Sequence, residues 1–283
     1  AELVKEGIRI IQQGLFAGEY SMPTLFDVLQ TVGASIHKRI IAQQKAAADA
    51  ILAEETWGEQ IRAIKHAEVA SGMRQQVPLS KAGALLDACS AAGFGASVDT
   101  KVLPGLLCAI AGEMRDKFKG VLLVVAENAS QGAVKCAEDP NEVEGKATLP
   151  TIELKVGPIK RVNRIAVKVE EYRAEKGEDK WPHSQFLTDV LRASFIVSTA
   201  EEMVRVWESV LSSSEFEVVR LKNKIGRCKE PYNLHVNLLF KPEECEDPIL
   251  CELQFYPRKV FDLQHCQHQA YEVSRATGVE QLF

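Results

Sequence analysis

Four polar side chains recur at every second residue in two short stretches near the end of the sequence. His235 and Asn237 alternate with apolar residues in the first stretch, and Glu252 and Gln254 do so in the second. A period of two is typical of strands with one buried face. Because a carboxylate buried without a partner costs several kcal/mol, Glu252 must be solvated or be compensated by a cation or a metal.

The segment between these stretches, residues 241–248, contains two prolines and four acidic residues. Such a segment is too polar for a core and is typical of the loop of an antiparallel hairpin. If the apolar sides of both strands share one core, the four polar side chains project together from the opposite face. That face is then either a solvated surface or a functional site.

A further acid and a row of cations precede the hairpin. Asp189 lies near the start of a predicted strand, residues 187–197, and residues 160–174 have the pattern of an amphipathic helix. The polar face of that helix carries Lys160, Arg161, Arg164 and Lys168. Cations in this arrangement can bind phosphate, but a basic helix face is also commonly a solvated surface. Both interpretations remain open at this point.

The remaining C-terminal pattern predicts the elements that position these residues. Residues 200–211 read as a helix capped by Ser198 or Thr199 with Glu202 in its first turn. Strands are predicted at 216–221, 233–240 and 249–256, and a last helix carries Val260 to Val273. The sequence therefore predicts an α+β fold with a mixed or antiparallel sheet flanked by helices.

The N-terminal part has almost only helical periodicity. A long helix is predicted over residues 25–51, with an extension to residue 69 left open, followed by helices after Pro78 and from about Asp99. We assign Val121 to Val125 to the last of these helices. Prolines and glycines among acids mark 138–158 as a linker. The predicted organisation is a helical region over 1–137, serving interaction or regulation, and a domain over 159–283.

Composition limits the classes of function. Of 283 residues, 46% are hydrophobic and 26% are charged, which is typical of a globular protein. A net charge of -5 gives no strong nucleic-acid signal. Seven cysteines without CxxC spacing indicate neither a disulfide framework nor a zinc site, so we expect an intracellular, cytoplasmic location. The longest apolar run, residues 121–126, is far shorter than the ~20 residues of a membrane span.

Three motifs in their order resemble a known family. The run from Asp189 to Val197 reads DVLRASFIV, Tyr232 precedes the next hairpin, and Glu252-Leu253-Gln254 ends it. Together with the basic helix upstream, this order resembles the RelA/SpoT-type nucleotidyltransferase domain. The resemblance covers residues 157–275.

The resemblance implies a function and a site. Members of the family transfer pyrophosphate from ATP to the ribose 3′-hydroxyl of GDP or GTP. By resemblance, Asp189 and Glu252 are the catalytic and magnesium-binding acids, and Mg²⁺ suits such hard oxygen ligands. Tyr232 resembles the tyrosine that stacks on guanine. The nucleotide-binding set implied by the family is Lys160, Arg161, Arg164, Lys168, Arg192, Tyr232, His235 and Gln254.

Some positions depart from the family pattern. Arg192 and Ser194 stand where active synthetases usually carry Gly and then Arg, Pro231 replaces a Gly, and Tyr256 replaces an Arg. These departures favour an alternative function, a catalytically degenerate domain that binds nucleotide or protein in regulation or assembly. A third possibility is that the N-terminal helices self-associate or dock a protein partner.

A pair of histidines offers a separate metal hypothesis. His265 and His268 are three residues apart and follow Asp262, a spacing that could bind a metal. On an exposed helix face such histidines are more often ordinary surface residues.

Overall fold

The computed structural model describes residues 22–64, 67–68, 91–93, 98–130, 134–137, 152–227, 229–243 and 248–264. The predicted helix after Pro78, most of the predicted linker, His265, His268 and most of the last predicted helix lie outside these residues. Residues 258–264 form the start of that last helix.

Three helices make up most of the described N-terminal part. They are α1 (Met22–Ala53), α2 (Glu55–Ala63) and α3 (Leu103–Ala129). The backbone is extended at Glu54, so the long predicted helix ends at Ala53 and a second one begins. A π-helical segment, Val98–Val102, leads into α3, where Pro104 stands in the first turn. Residues 121–125 are helical, as predicted.

No helix in the described ranges is long and apolar enough to cross a membrane.

Two further helices belong to the C-terminal part. Helix α4 (Val162–Lys176) ends at Gly177, whose φ of 86° favours glycine. Helix α5 (Ala200–Ser212) begins with the predicted capping box, because Thr199 accepts from the Glu202 amide and Glu202 accepts from the Thr199 amide. Short 3₁₀ turns, Glu178–Lys180 and His183–Phe186, lie between α4 and the next strand.

Seven strands in the described residues form one mixed sheet. They are β1 (Ala67–Glu68), β2 (Val134–Ala137), β3 (Ile152–Val156), β4 (Leu191–Val197), β5 (Phe216–Asn223), β6 (Leu234–Phe240) and β7 (Ile249–Pro257). Their order across the sheet is β1-β5-β6-β7-β4-β3-β2. The β7–β4 and β3–β2 pairs are parallel and the others antiparallel. The predicted α+β class with a mixed sheet is confirmed.

One face of the sheet is apolar and is covered by helices. Phe118 of α3 meets Phe216 and Phe240 edge to face, at ring-centroid distances of 6.1 and 5.3 Å. Trp207 of α5 meets Phe255 of β7 in the same way at 6.1 Å. Aromatic pairs in this geometry add to the stabilisation that comes from burying their surface. The helices α2 and α3 share one hydrophobic core with the sheet.

The predicted linker and helical region need correction. Residues 152–156, placed in the linker over 138–158, form β3 and pair with β4. The strands β1 and β2 fall in the region 1–137 predicted to be all helical, and both join the same sheet. The strand predicted over 187–197 begins only at Leu191, and a 3₁₀ turn, His183–Phe186, precedes residues 187–190. Short β2 and β3 lacked a periodic pattern long enough to separate them from loop.

An asparagine joins the N-terminal helices to the sheet. Nδ2 of Asn223, at the end of β5, donates to the carbonyl oxygens of Ile61 at 2.6 Å and Ile64 at 2.9 Å. These carbonyls lie at the end of α2, where a helix has no backbone donors left for them. Asn223 is buried, so it ties α2 firmly to β5.

Candidate functional site

The face of the sheet opposite the helices α3 and α5 is polar. The register of β6 and β7 places His235 beside Gln254 and Asn237 beside Glu252. All four side chains therefore project from one face, as the alternation predicts. On the other side of β7, the parallel strand β4 places Arg192 next to Glu252 and Ser194 next to Gln254.

Glu252 is a buried carboxylate held by its neighbours on this face. Oε2 of Glu252 lies 2.8 Å from Nε2 of His235, and Gln254 donates from Nε2 to Oε1. Burial acts to raise the pKa of Glu252, but the hydrogen bond and charge of His235 lower it overall. Glu252 is therefore ionised at neutral pH.

Asp189 lies between two lysines just before β4. Its Oδ2 accepts from Nζ of Lys168 at 2.9 Å and from Nζ of Lys160. Burial acts to raise the pKa of Asp189, yet the charges and hydrogen bonds of the two lysines lower it from 3.8 to about 2. The other oxygen, Oδ1, is buried and has no hydrogen-bond partner among the residues described.

The two acids influence each other. The charge of Asp189 acts to raise the pKa of Glu252. The pKa of Lys168 responds to both acids. Burial acts to lower this pKa, but the charges of Asp189 and Glu252 act to raise it, and the pKa is raised overall. Two carboxylates and a shared lysine therefore form one electrostatic unit at the junction of β4, β7 and α4.

Arg192 adds a third cation on the same side. Burial lowers the pKa of Lys160, and the charges of Lys168 and Arg192 act in the same direction, against the raising effect of Asp189. A Cβ atom at Gly157 would lie 2.9 Å from Cγ of Arg192. The absence of a side chain at Gly157 therefore lets Arg192 lie across the backbone of β3's end.

Three residues predicted to bind nucleotide show no contact with Asp189 or Glu252 among those described. Arg161 and Arg164, at the start of α4, are exposed. Tyr232 is only 3% exposed and packs in the hydrophobic core, with a φ of 54° that is uncommon for a residue with a large side chain. In this conformation its ring has no free face on which a base could stack.

A second row of cations was missed in the sequence. Arg220 of β5 donates from Nε and Nη2 to Oδ1 of Asn237, at 3.0 and 2.6 Å. Lys222 pairs in register with His235, and Lys224 follows two residues later. Burial and the charge of Lys222 lower the pKa of Lys224, whereas the charge of Glu252 acts upward. Continuing the alternation of β5 beyond Leu221 would have identified this row.

The acids of this face fit a magnesium ion that arrives with a polyphosphate. Mg²⁺ in proteins commonly takes one or two carboxylates together with phosphate oxygens and water. Asp189 has one buried oxygen without a partner, and Glu252 is ionised nearby. Within the described residues, no group of three or more His, Cys, Asp or Glu side chains could hold a metal. The protein groups therefore fit only part of a magnesium shell.

Comparison with known proteins gives no match at the level of sequence. No protein-family model matches the chain, and no curated protein matches it.

Comparison with solved structures returns alarmone synthetases. Small alarmone synthetase 1 from Bacillus subtilis, bound to its product pppGpp, is 16% identical, with 59% of this chain and 77% of that chain covered and a TM-score of 0.39. Small alarmone synthetase 2 from Bacillus subtilis is 12% identical, with coverages of 62% and 84% and a TM-score of 0.42. A GTP pyrophosphokinase family protein from Streptococcus pneumoniae is 13% identical, with coverages of 59% and 85% and a TM-score of 0.35.

Proposed function

We propose that the polar face of the sheet binds nucleotides and transfers a pyrophosphoryl group from ATP to a hydroxyl of a second nucleotide, with Mg²⁺. One observation carries this proposal. Asp189 is held by Lys160 and Lys168, retains an unpartnered buried oxygen, and stands next to an ionised Glu252. Acids for a metal and cations for phosphate are the two requirements of phosphoryl transfer.

The cations lie on both sides of Glu252. Arg192 is in register with it on β4, and Lys160 and Lys168 bond Asp189 nearby. Arg220 and Lys222 lie on β5, beyond β6. Cations offset the negative charge of phosphate groups and of the transferred group in the transition state. In the proposal, Arg192, Lys160 and Lys168 bind the phosphates of ATP. Arg220 and Lys222 bind the phosphates of the acceptor.

Asp189 and Glu252 are the residues that would hold the magnesium. When bound, Mg²⁺ would offset negative charge on the phosphate oxygens. Asp189 is suited to this because its low pKa keeps it ionised over the whole physiological range.

The proposed reaction balances as a single displacement. The acceptor hydroxyl oxygen forms a bond to the β-phosphorus of ATP, the bond from that phosphorus to the oxygen shared with the α-phosphate breaks, and AMP leaves. The hydroxyl proton passes to Glu252, which His235 holds in place at 2.8 Å. General-base catalysis of this kind requires the base to be ionised, as Glu252 is.

The test is a direct assay. Purified protein is incubated with Mg²⁺, ATP labelled in its β-phosphate, and GDP or GTP, the acceptors that the resemblance implies. We expect label in the acceptor and release of AMP, both abolished by EDTA. The proposal would be overturned if neither GDP nor GTP took up label and calorimetry showed no binding of ATP.

One observation favours a second candidate, a domain that binds nucleotide without turnover. Oδ2 of Asp189 and both oxygens of Glu252 already accept hydrogen bonds from the protein itself. A ligand would therefore have to compete with these contacts. The variant Asp189→Ala separates the two: retained ATP binding without dependence on Mg²⁺ favours binding alone, whereas loss of Mg²⁺-dependent binding favours catalysis.

A further inference from the structure

A buried carboxylate from the N-terminal part of the chain is bonded to the loop that leads to Asp189. Asp99 lies in the π-helical segment Val98–Val102, and its Oδ1 accepts from the backbone amide of Ser184 at 2.8 Å. Its Oδ2 accepts from the backbone amide of His183 at 2.6 Å and faces Nδ1 of the His183 ring at 3.2 Å. Both side chains are fully buried. One carboxylate therefore fixes the first two residues of the turn His183–Phe186.

The ring of His183 extends this contact to the end of α4. Its second nitrogen, Nε2, lies 2.9 Å from the carbonyl oxygen of Gly177. The His183 ring therefore lies between the Asp99 carboxyl group and the end of α4, within hydrogen-bond distance of both.

Two routes run from Asp99 to the same point of the site. Along the chain, the turn that Asp99 caps is followed by Leu187, Thr188 and Asp189. Through the His183 ring, Asp99 is joined to Gly177, which ends the helix carrying Lys168. The two routes meet where Nζ of Lys168 lies 2.9 Å from Oδ2 of Asp189. The contacts form a closed ring.

We infer that Asp99 and His183 are positioning residues that set the Lys168–Asp189 contact, and that the N-terminal part of the chain controls the site through them. The inference rests on the proposed function for its effect on nucleotide binding. It does not rest on that function for its effect on Lys168 and Asp189. Neither Asp99 nor His183 touches the ligand in this account.

The first test is a double-mutant cycle on ATP binding in the full chain. Asp99→Asn keeps the size of the side chain and removes its charge, and Asp116→Asn is the matched control on the exposed side of α3. We expect Asp99→Asn to weaken ATP binding roughly 10-fold, about the equivalent of one charge-assisted hydrogen bond. We expect the control to have no effect.

The cycle is completed with Lys168→Ala. If Asp99 acts by positioning Lys168, adding Asp99→Asn to Lys168→Ala causes no further loss of ATP affinity. A purely structural role for Asp99 would make the two losses additive, and that outcome would overturn the inference.

The second test needs no nucleotide. Urea unfolding measures what Lys168→Ala costs in free energy of unfolding, both in the native protein and in Asp99→Asn. If Asp99 sets the Lys168–Asp189 contact, we expect Lys168→Ala to cost less in the Asp99→Asn background. An equal cost in both backgrounds would overturn the inference even if ATP binding proved absent.

A variant that fails to fold would not leave the question open. His183→Gln retains one donor toward Asp99 and gives a second, milder disruption of the same ring. We expect it to reduce the cost of Lys168→Ala in the same way by a smaller amount. If His183→Gln folds and leaves both that cost and the ATP affinity unchanged, the inference is wrong.

Discussion

Nζ of Lys168 lies 2.9 Å from Oδ2 of Asp189, and this contact joins the middle of α4 to the segment just before β4. The same lysine stands over the ring of Tyr172 at 5.7 Å from the ring centroid. A cation fixed in this way is oriented before any ligand arrives.

The ion pairs of Asp189 make stability depend on acid pH. The folded-state pKa of Asp189 is lowered from 3.8 to about 2, so its contribution is present above the ordinary value and is lost as pH falls through the folded value. That shift corresponds to about 2 kcal/mol. We expect the stability difference between the native protein and Asp189→Asn to shrink by about this amount between ~pH 5 and ~pH 2. Urea unfolding at both pH values measures it.

Lys168 should matter more for nucleotide binding than other cations of α4. Lys168→Ala is expected to weaken ATP binding roughly 10-fold or more and to reduce the salt dependence of that binding. Lys176→Ala is the matched control, because Lys176 lies on the same helix and its partner, Glu175, is exposed. Calorimetry at two salt concentrations compares them. Equal effects of the two variants would contradict a role for Lys168.

Glu252 should affect turnover and Mg²⁺-dependent binding more than the binding of metal-free ATP. Glu252→Gln removes the proposed base but keeps its shape, so we expect turnover to fall by about 10²–10⁴-fold. Affinity for ATP without Mg²⁺ should change little. Steady-state assays with separate binding measurements distinguish these effects. A loss of affinity with unchanged turnover would assign Glu252 to binding alone.

His235 should set the acid limit of activity. Its hydrogen bond and charge lower the pKa of Glu252 against the effect of burial. His235→Asn keeps a polar side chain and removes the charge, so the pKa of Glu252 should rise. Because the base must be ionised, the acid limb of the pH–rate profile is expected to move to higher pH. An unmoved acid limb would mean that Glu252 is not the titrating base.

The helix α3 should be essential to the fold of the sheet. Phe118 is fully buried and touches Phe216 and Phe240, so Phe118→Ala is expected to cost about 3–5 kcal/mol of unfolding free energy. Val124→Ala, on the exposed side of the same helix, is the control and should cost less than about 0.5 kcal/mol. If Phe118→Ala and Val124→Ala had similarly small effects, the result would support the predicted division into a helical region over 1–137 and a separate domain over 159–283.

Periodicity was enough to predict the elements that carry the polar face. Polar and apolar residues alternate over 234–238 and 251–255, so the common face of His235, Asn237, Glu252 and Gln254 follows from the sequence. The capping box of α5 could also be predicted from the sequence, since Thr199 and Glu202 have the required spacing.

Contacts between distant segments could not be predicted in the same way. No local pattern reveals that Asp99 bonds His183 or that Asn223 bonds the end of α2. The burial of Tyr232 also depends on packing around a backbone with positive φ, and a motif match says nothing about that.

The contact of Phe118 with Phe240 has a consequence for how the protein is made. During translation α3 emerges from the ribosome well before β6 and β7 are synthesised. The apolar side of this helix therefore has no sheet to pack against during much of synthesis. Contacts between residues so far apart in sequence slow folding. We expect the nascent chain to rely on chaperones, and folding to be completed only after β7 has emerged.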